Sequence, residues 1–373
     1  MKTLHNILPM LILVLTVSIA EAQKNKMYSA ETNMKAYVQS KNPDDLLQAK
    51  QLIDEVVKHE KTIGFWKAWY TYGKVYQLLG TDSITKSADP TFLFHAFEGY
   101  TKIFELANGR IDKFTKEDIV NNLKNLSVAF YNNGIDSYNT KDFESSSNFF
   151  IGVTEIDEVL VQESGEGTPF AATCIDYAIE SYISLGKQAM RAGELEKCLA
   201  IIQEAQQIFP GNGALMKAEI NYYIQSDNLQ EGMSIVQNAI IAQTETLSAN
   251  PENQEVKQDL SNLYTIEGEA YFQIDSFNKA FTSFENAVTY NPENHSAQYN
   301  CGVALTSQWG IASKNLNDMT GLSDEAYETM NDEIYLTYLV PALKFLEAAV
   351  SIKPDDDQYS STAESVKQIL GNR

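Results

Sequence analysis

The stretch that decides the fold is Leu263–Asn294, which reads LYTIEGEAYFQIDSFNKAFTSFENAVTYNPEN. Small and aromatic residues stand where two antiparallel helices must cross closely, and these residues are Gly268, Tyr271, Ala280, Phe284 and Ala287. Pro292 ends the unit before another helix begins. The stretch therefore predicts a helical hairpin that buries its apolar face by stacking on copies of itself.

The same pattern recurs along the chain. The spacing from Gly186 to Pro210 equals the spacing from Gly268 to Pro292, and Gly302 begins a further unit. Other units are marked by small or aromatic residues at Trp69, Tyr72, Gly73, Tyr76, Phe130, Gly134, Phe150, Tyr223, Gly232 and Val236. A glycine at the crossing lets the two helix axes approach, and an aromatic ring fills the groove beside it.

This recurring pattern resembles the tetratricopeptide repeat (TPR), a helix–turn–helix unit of about 34 residues. The resemblance implies an all-α, right-handed TPR-type α-solenoid of about six helical hairpins, in one continuous domain over 23–373 with a C-terminal capping helix at 355–371. The expected repeats are 66–108, 127–160, 179–212, 213–251, 261–294 and 295–354, and the resemblance is weak over 27–61.

Two insertions interrupt the repeats. After Gly302, the matching second helix from Ala342 to Pro354 arrives about 28 residues late. The segment 308–335 favours a projecting helical hairpin with Ser323 as an N-cap, and the alternative is a disordered loop. A shorter insertion, Gly80 to Asp89, interrupts the first clear repeat.

The N-terminus has the pattern of an export signal. Lys2 precedes an apolar run, Ile7–Ala20, and a small-x-small site ends at Ala22. We therefore expect a signal peptide at 1–22; the alternative is an uncleaved membrane anchor. No later segment is expected to cross a membrane. The turn His59–Thr62 and the helix start that follows it resemble a segment of exported TPR proteins of bacterial envelopes. The resemblance therefore implies a periplasmic or secreted location in the cell envelope.

The net charge limits the class of partner, and the cysteine count indicates whether disulfides form. The net charge is −22, which argues against binding nucleic acid or anionic lipid, since phosphates require basic surfaces. Cys174, Cys198 and Cys301 form an odd set, and we expect all three to be free, buried thiols.

The sequence contains no pattern that points to catalysis. The histidines that remain after the signal, His59, His95 and His295, lie in different repeats with no metal-ligand spacing. Phosphate-binding glycine loops, nucleophile elbows and zinc-protease motifs are missing from the sequence. We therefore expect a protein that is not an enzyme, with no cofactor and no metal.

The candidate site follows from the resemblance, because the first helices of TPR domains line a concave groove. The candidate contact residues are Tyr70, Lys74, Tyr131, Tyr138, Lys187, Arg191, Lys217, Asn221, Glu269, Gln273 and Tyr299. Lys217 and Asn221 resemble half of a carboxylate clamp for a peptide C-terminus, but Ile266 and Asn300 stand where its other members belong. Each candidate residue also fits an ordinary solvated surface.

The leading hypothesis is an exported scaffold that binds a protein or extended peptide partner in this groove. The alternative is an envelope glycan or peptidoglycan-binding protein, because the chain has 20 tyrosines and 3 tryptophans that can stack on sugars. Most of these tyrosines also fall at positions where the repeat needs aromatic residues in its core.

Overall fold

A computed structural model describes residues 4–86 and 88–371, with side chains described from residue 21 onward. The predicted signal peptide, 1–22, therefore lies almost entirely outside the described side chains. Within the described residues, every regular element is a helix, and consecutive helices pair closely as hairpins. The prediction of an all-α fold of TPR-type hairpins is confirmed.

The chain divides into two compact units, Met1–Ser184 and Leu185–Arg373. The predicted single domain over 23–373 stays a prediction. The helices of the first unit are α1 (Leu4–Ser40), α2 (Pro43–Lys58), α3 (Trp66–Thr81), α4 (Phe92–Ala107), α5 (Lys113–Asn139), α6 (Phe143–Ser164) and the start of α7 (Ala171–Arg191). They form the hairpins α1/α2, α3/α4 and α5/α6.

The second unit contains the end of α7 and the remaining helices. These are α8 (Leu195–Ile208), α9 (Gly213–Gln225), α10 (Leu229–Ala249), α11 (Gln254–Gln273), α12 (Phe277–Tyr290), α13 (His295–Asn317), α14 (Asp324–Ile334), α15 (Val340–Ile352) and α16 (Asp357–Gly371). The helices α9 and α10, α11 and α12, and α13 and α15 pack pairwise, and α16 packs on α15.

The first hairpin, α1/α2, lies where the sequence resemblance is weak. No glycine occurs between residues 27 and 58, so the crossing pattern is missing there. The helices nevertheless pack closely, with Ala30, Tyr37, Ala49 and Ile53 fully buried between them or against α3. Alanines thus provide the small positions that glycine provides elsewhere.

Close helix crossings at glycine recur in both units. A methyl group added at Gly134 would lie 2.8 Å from the Phe150 ring, and one added at Gly268 would lie 2.5 Å from the Phe284 ring. In both hairpins the ring belongs to the residue 16 positions after the glycine. The aromatic ring therefore occupies the space that a side chain on the first helix would need.

The last hairpin is prolonged by regular helix. A methyl group added at Gly302 would lie 2.5 Å from Leu346, whose position is shifted by the 28-residue insertion. The first arm continues to the end of α13, and the Ser323 hydroxyl accepts the Ala326 N–H at 3.2 Å as the N-cap of α14. The Tyr327 hydroxyl donates to Asn317 Oδ1 at 2.5 Å and joins the two arms. Hence 308–335 is not a disordered loop.

A single turn of π-helix, Tyr335–Leu339, joins α14 to α15, so the chain is helical from Asp324 to Ile352. Among the described residues this run is the one helix long and apolar enough to span a membrane by length and composition. The core helix of a water-soluble protein can meet the same criterion, so the expectation that no later segment crosses a membrane stays a prediction. Residues Leu339 and Leu346 of this run pack against α16 and its neighbours, as expected for the second helix of a hairpin.

The three cysteines are free and buried, as predicted. Burial raises the pKa of the Cys174 thiol to about 12, and burial also raises the pKa of Cys198 and Cys301. These thiols therefore remain protonated at neutral pH and are poor nucleophiles.

We predict that Gly268→Ala destabilises the protein by about 1–2 kcal/mol, because the methyl group meets the Phe284 ring and overpacking exceeds the gain in helix propensity. The matched control is Gly310→Ala in α13, where nothing lies within 4 Å of the added methyl group. This control is expected to gain up to about 1 kcal/mol in helix propensity. Chemical denaturation measures both changes, and equal effects of the two substitutions would contradict the crossing geometry.

We predict that no cysteine of the native protein reacts with an aromatic disulfide reagent at pH 8, and that all three react after denaturation. Because the pKa of Cys174 rises from 9.0 in the unfolded chain to about 12, its contribution to stability is complete below pH 9 and is lost between pH 9 and 12. Rapid labelling of a thiol in the native protein at pH 8 would show that this thiol is not buried.

Candidate functional site

Polar pairs join the first helices of successive hairpins in the second unit. Lys217 of α9 forms an ion pair with Glu269 of α11, and one turn further along Asn221 Oδ1 accepts a hydrogen bond from Gln273 Nε2 at 2.8 Å. We call these four residues the α9–α11 polar pairs. All four are predicted contact residues, and the structure brings them together as partners of one another.

The first unit has a similar arrangement between α3 and α5. The Tyr70 hydroxyl donates to Asp118 Oδ2, and Lys74 Nζ lies 3.6 Å from the same oxygen. Burial and the neighbouring Asp118 carboxylate hold the pKa of Tyr70 well above its usual range. The side chain of Gln77 donates to the Asn122 carbonyl at 3.2 Å. The predicted residues Tyr70 and Lys74 are therefore used to join two helices.

The predicted residues Tyr131 and Tyr138 lie half-buried in aromatic packing. The Tyr131 ring centroid is 5.1 Å from that of Phe170, and the Tyr138 ring centroid is 5.4 Å from that of Phe143. Burial also raises the pKa of Tyr138. Both rings stabilise the hairpins of the first unit, which fits the core alternative for the tyrosines.

The predicted residue Tyr299 does not line an open groove. Its ring stacks on Tyr359 of α16 with the centroids 4.5 Å apart, and its hydroxyl lies 3.2 Å from Thr362 Oγ1 and 3.0 Å from Gln358 Nε2. The final helix therefore covers this residue. The repeat pattern predicts Tyr299 on the first-helix face, but it does not indicate where α16 packs.

The remaining predicted residues, Lys187 and Arg191, lie one turn apart near the end of α7. Both are exposed, and the described part of the chain gives neither of them an ion-pair partner. In a chain with a net charge of −22, these two cations are available to an acidic group of a ligand.

A second feature, which the sequence analysis missed, is a cleft of about 340 Å³ between α11 and α12. Glu267 lines it and is only 9% exposed. Its Oε2 accepts the Ser283 hydroxyl at 2.8 Å, and its Oε1 accepts Gln237 Nε2 of α10 at 3.3 Å. We call this the Glu267 cleft.

The signal for this cleft was present in the repeat itself. Glu267 directly precedes the crossing glycine Gly268, at a position where the other repeats have Tyr72, Asn133, Leu185 and Cys301. Glu267 is the one charged residue among these five equivalent positions. The charge of Glu267 at this position is therefore the sequence signal that could have indicated the cleft.

A larger cleft of about 560 Å³ lies at the start of α5. Its charged groups are already paired, since Lys116 Nζ lies 2.9 Å from Glu163 and Lys113 Nζ lies 3.7 Å from Glu117. These paired groups therefore leave no unpaired charge in the cleft that would select a ligand.

His95 and His295 each lie within hydrogen-bond distance of a tyrosine hydroxyl. His95 Nδ1 lies 3.0 Å from the Tyr72 hydroxyl, and His295 Nδ1 lies 2.9 Å from the Tyr359 hydroxyl. Among the described residues, no group of three or more histidine, cysteine or acidic side chains is arranged to hold a metal ion.

Comparisons with known proteins find only distant similarities. No family model and no curated protein matches the chain. Similar solved structures include a TPR repeats protein from Bacteroides fragilis, which is 16% identical with a TM-score of 0.30 over 65% of this chain and 98% of that chain.

Two further structures are similar at the same level. YrrB, described as a TPR protein with an unusual peptide-binding site, is 16% identical with a TM-score of 0.27 over 69% of this chain and 98% of its own. The human IFIT1 dimer with m7Gppp-AAAA is 15% identical with a TM-score of 0.37 over 92% of this chain and 65% of that chain. At these scores no ligand is transferred from one protein to another.

We predict a coupling energy of at most about 1 kcal/mol between Lys217 and Glu269, because both side chains are partly exposed to solvent and salt screens the pair. A double-mutant cycle of Lys217→Met and Glu269→Gln, followed by chemical denaturation, measures this coupling. A coupling of about 3 kcal/mol or more would show that the pair is needed for folding and is not a surface for ligands.

Proposed function

We propose that this chain is an exported, non-catalytic TPR-type scaffold that binds an extended peptide or protein segment on its first-helix surface. The observation that carries the proposal is the set of α9–α11 polar pairs. They place a cation, a carboxylate and two side-chain amides side by side on two neighbouring helices.

Side-chain amides suit the recognition of an extended backbone. Each amide offers two donors and an acceptor, and a peptide backbone presents one donor and one acceptor at each residue. The bond between Asn221 and Gln273 uses the oxygen of one amide and one hydrogen of the other. The Asn221 nitrogen and the Gln273 oxygen are thus left for a ligand. Because the pair also orients both amides, little side-chain entropy is lost on binding.

The charge of the chain supports a protein partner over a nucleic acid. A net charge of −22 repels phosphates, and the α9–α11 polar pairs combine both signs of charge. Export, and with it a periplasmic or secreted location in the cell envelope, is supported by the basic start and the apolar run that precede Ala22.

Glycan binding is the alternative that the experiment must distinguish from peptide binding. The most exposed aromatic rings of the described residues include Tyr28, Phe114 and Tyr327, and they belong to α1, α5 and α14. These three rings do not share one helical hairpin, whereas a sugar-stacking surface needs rings that face one ligand.

We predict that Asn221→Ala combined with Gln273→Ala weakens binding of a selected peptide about tenfold, which corresponds to about 1.4 kcal/mol for the loss of one or two hydrogen bonds. The peptide is selected from a random library displayed against the full chain, and affinity is measured by fluorescence anisotropy. The matched control is Gln203→Ala combined with Gln207→Ala, which removes two exposed amides one turn apart from the second helix α8.

Loss of affinity in the first double variant with the control unchanged supports the first-helix surface. Equal loss in both variants would place the peptide elsewhere. Selection of no peptide, together with a change in tryptophan fluorescence on adding cell-wall fragments, would favour the glycan alternative.

A further inference from the structure

The Glu267 carboxylate is a buried charge without a counter-charge. The residues within hydrogen-bond distance, Ser283 and Gln237, are neutral donors. No ion pair of Glu267 occurs in the part of the chain that the structure describes. A carboxylate has about four acceptor sites, so two neutral donors leave acceptor capacity unused. Burial without a cation is unfavourable unless the site is completed by a ligand.

The wall of the same cleft provides a second group that favours cations. The half-buried ring of Tyr271 lines the cleft, and the Lys279 ammonium lies 5.2 Å from the centroid of that ring. This contact is a cation–π interaction, so the Tyr271 ring can interact favourably with a positive charge. Lys279 is exposed and lies at the edge of the cleft, where it pairs with the ring and not with Glu267.

The rest of the lining is polar and neutral. Asn278, Thr282 and Asn286 of α12 contribute amide and hydroxyl oxygens that can accept hydrogen bonds from a cation. A planar guanidinium group can bind a carboxylate through two parallel N–H groups and can also stack on an aromatic face. The combination of Glu267 and the Tyr271 ring therefore fits a guanidinium better than an ammonium.

We propose that the Glu267 cleft binds an arginine side chain of the partner segment, with Glu267 as the counter-charge and the Tyr271 ring as the stacking surface. This inference rests on the proposed function in its choice of a protein partner. The cleft lies between α11 and α12, on different side chains from the α9–α11 polar pairs, so it supplies specificity to a complex whose backbone contacts are made elsewhere.

The alternative role of Glu267 is to join α10, α11 and α12 through its hydrogen bonds to Gln237 and Ser283. The two roles predict different results. A residue that only joins helices is needed for stability and is indifferent to cations. A residue that awaits a cation destabilises the unbound protein, and its replacement by leucine, the residue at the equivalent position before Gly186, relieves that cost.

The test titrates the full chain with N-acetyl-arginine methylamide and follows binding by calorimetry and by NMR. The neutral isostere N-acetyl-citrulline methylamide is the matched ligand control. We expect the arginine probe to bind and the citrulline probe to bind at least about tenfold more weakly, because a charge-assisted bidentate pair becomes a neutral one. Equal affinity for the two probes, or no binding of either, overturns the proposal.

Glu267→Gln is expected to weaken binding of the arginine probe at least about tenfold, since it removes the charge and keeps the shape. Glu285→Gln on α12 removes an exposed carboxylate of the same unit outside the cleft lining and is expected to leave the affinity within about twofold. Lys279→Met is expected to retain or increase the affinity. Equal losses in Glu267→Gln and Glu285→Gln would indicate long-range electrostatics and overturn the cleft.

The thermal midpoint gives an independent measurement. Glu267→Leu is expected to raise the midpoint of the unbound protein by about 2–4 °C while abolishing binding of the arginine probe. A fall of the midpoint in this variant, with probe binding retained in Glu267→Gln, would assign Glu267 a structural role only. Free spermidine, tested in parallel, separates a side chain of a peptide from a free polyamine, and tighter binding of spermidine than of the arginine probe would contradict an arginine ligand.

Failure of this test is distinguishable from failure of the proposed function. The small probes report on the cleft even if no peptide is bound on the first helices. The selected peptide and the Asn221 and Gln273 variants report on the first-helix surface even if the cleft binds no cation.

Discussion

The close approach of two helices at a glycine is the constraint on which the rest of this structure depends. At Gly268, a methyl group would lie 2.5 Å from the Phe284 ring, so the ring can fill the crossing only because the first helix has no side chain there. Gly134 and Gly302 meet Phe150 and Leu346 in the same way. A glycine within a helix sacrifices about 1 kcal/mol of propensity, which the dense packing of the crossing must offset.

The same packing determines where polar groups meet. Because hairpins stack, first helices of successive hairpins become neighbours, and α9 and α11 exchange an ion pair and an amide–amide hydrogen bond across their facing sides. Glu267 occupies the position directly before the crossing glycine Gly268 and is 9% exposed there. A charge at that position is therefore held close to the core, and its chemistry depends on what enters the cleft beside it.

The fold was predictable to a large extent because glycine spacing is a local property of the chain. The crossing pattern placed the hairpin around Gly268, and the delayed return after Gly302 predicted the prolonged final hairpin with its N-cap at Ser323. The pattern was weak over 27–61, where no glycine occurs and the fully buried small residues are alanines such as Ala30 and Ala49. The repeat pattern does not indicate that the chain divides into two units after Ser184.

The contact residues were less predictable because their partners are distant in the chain. Lys217 pairs with Glu269, which lies 52 residues away, whereas a regular repeat would place its counterpart about 34 residues away. The helices α10 and α11, with 21 and 20 residues, are long enough to shift that register. Nothing in the sequence around Tyr299 indicates that Tyr359 of α16 stacks on its ring.

The amino-acid sequence therefore determined the hairpins, their order and their close crossings, since these follow from residue size at helical spacing. It also determined the net charge of −22, which disfavours phosphate-rich partners. Only the tertiary structure decided which exposed polar residues pair with each other, which tyrosine the last helix covers, and that Glu267 forms no ion pair within the described residues. Those outcomes depend on distances between separate helices, and no local pattern of residues specifies such distances.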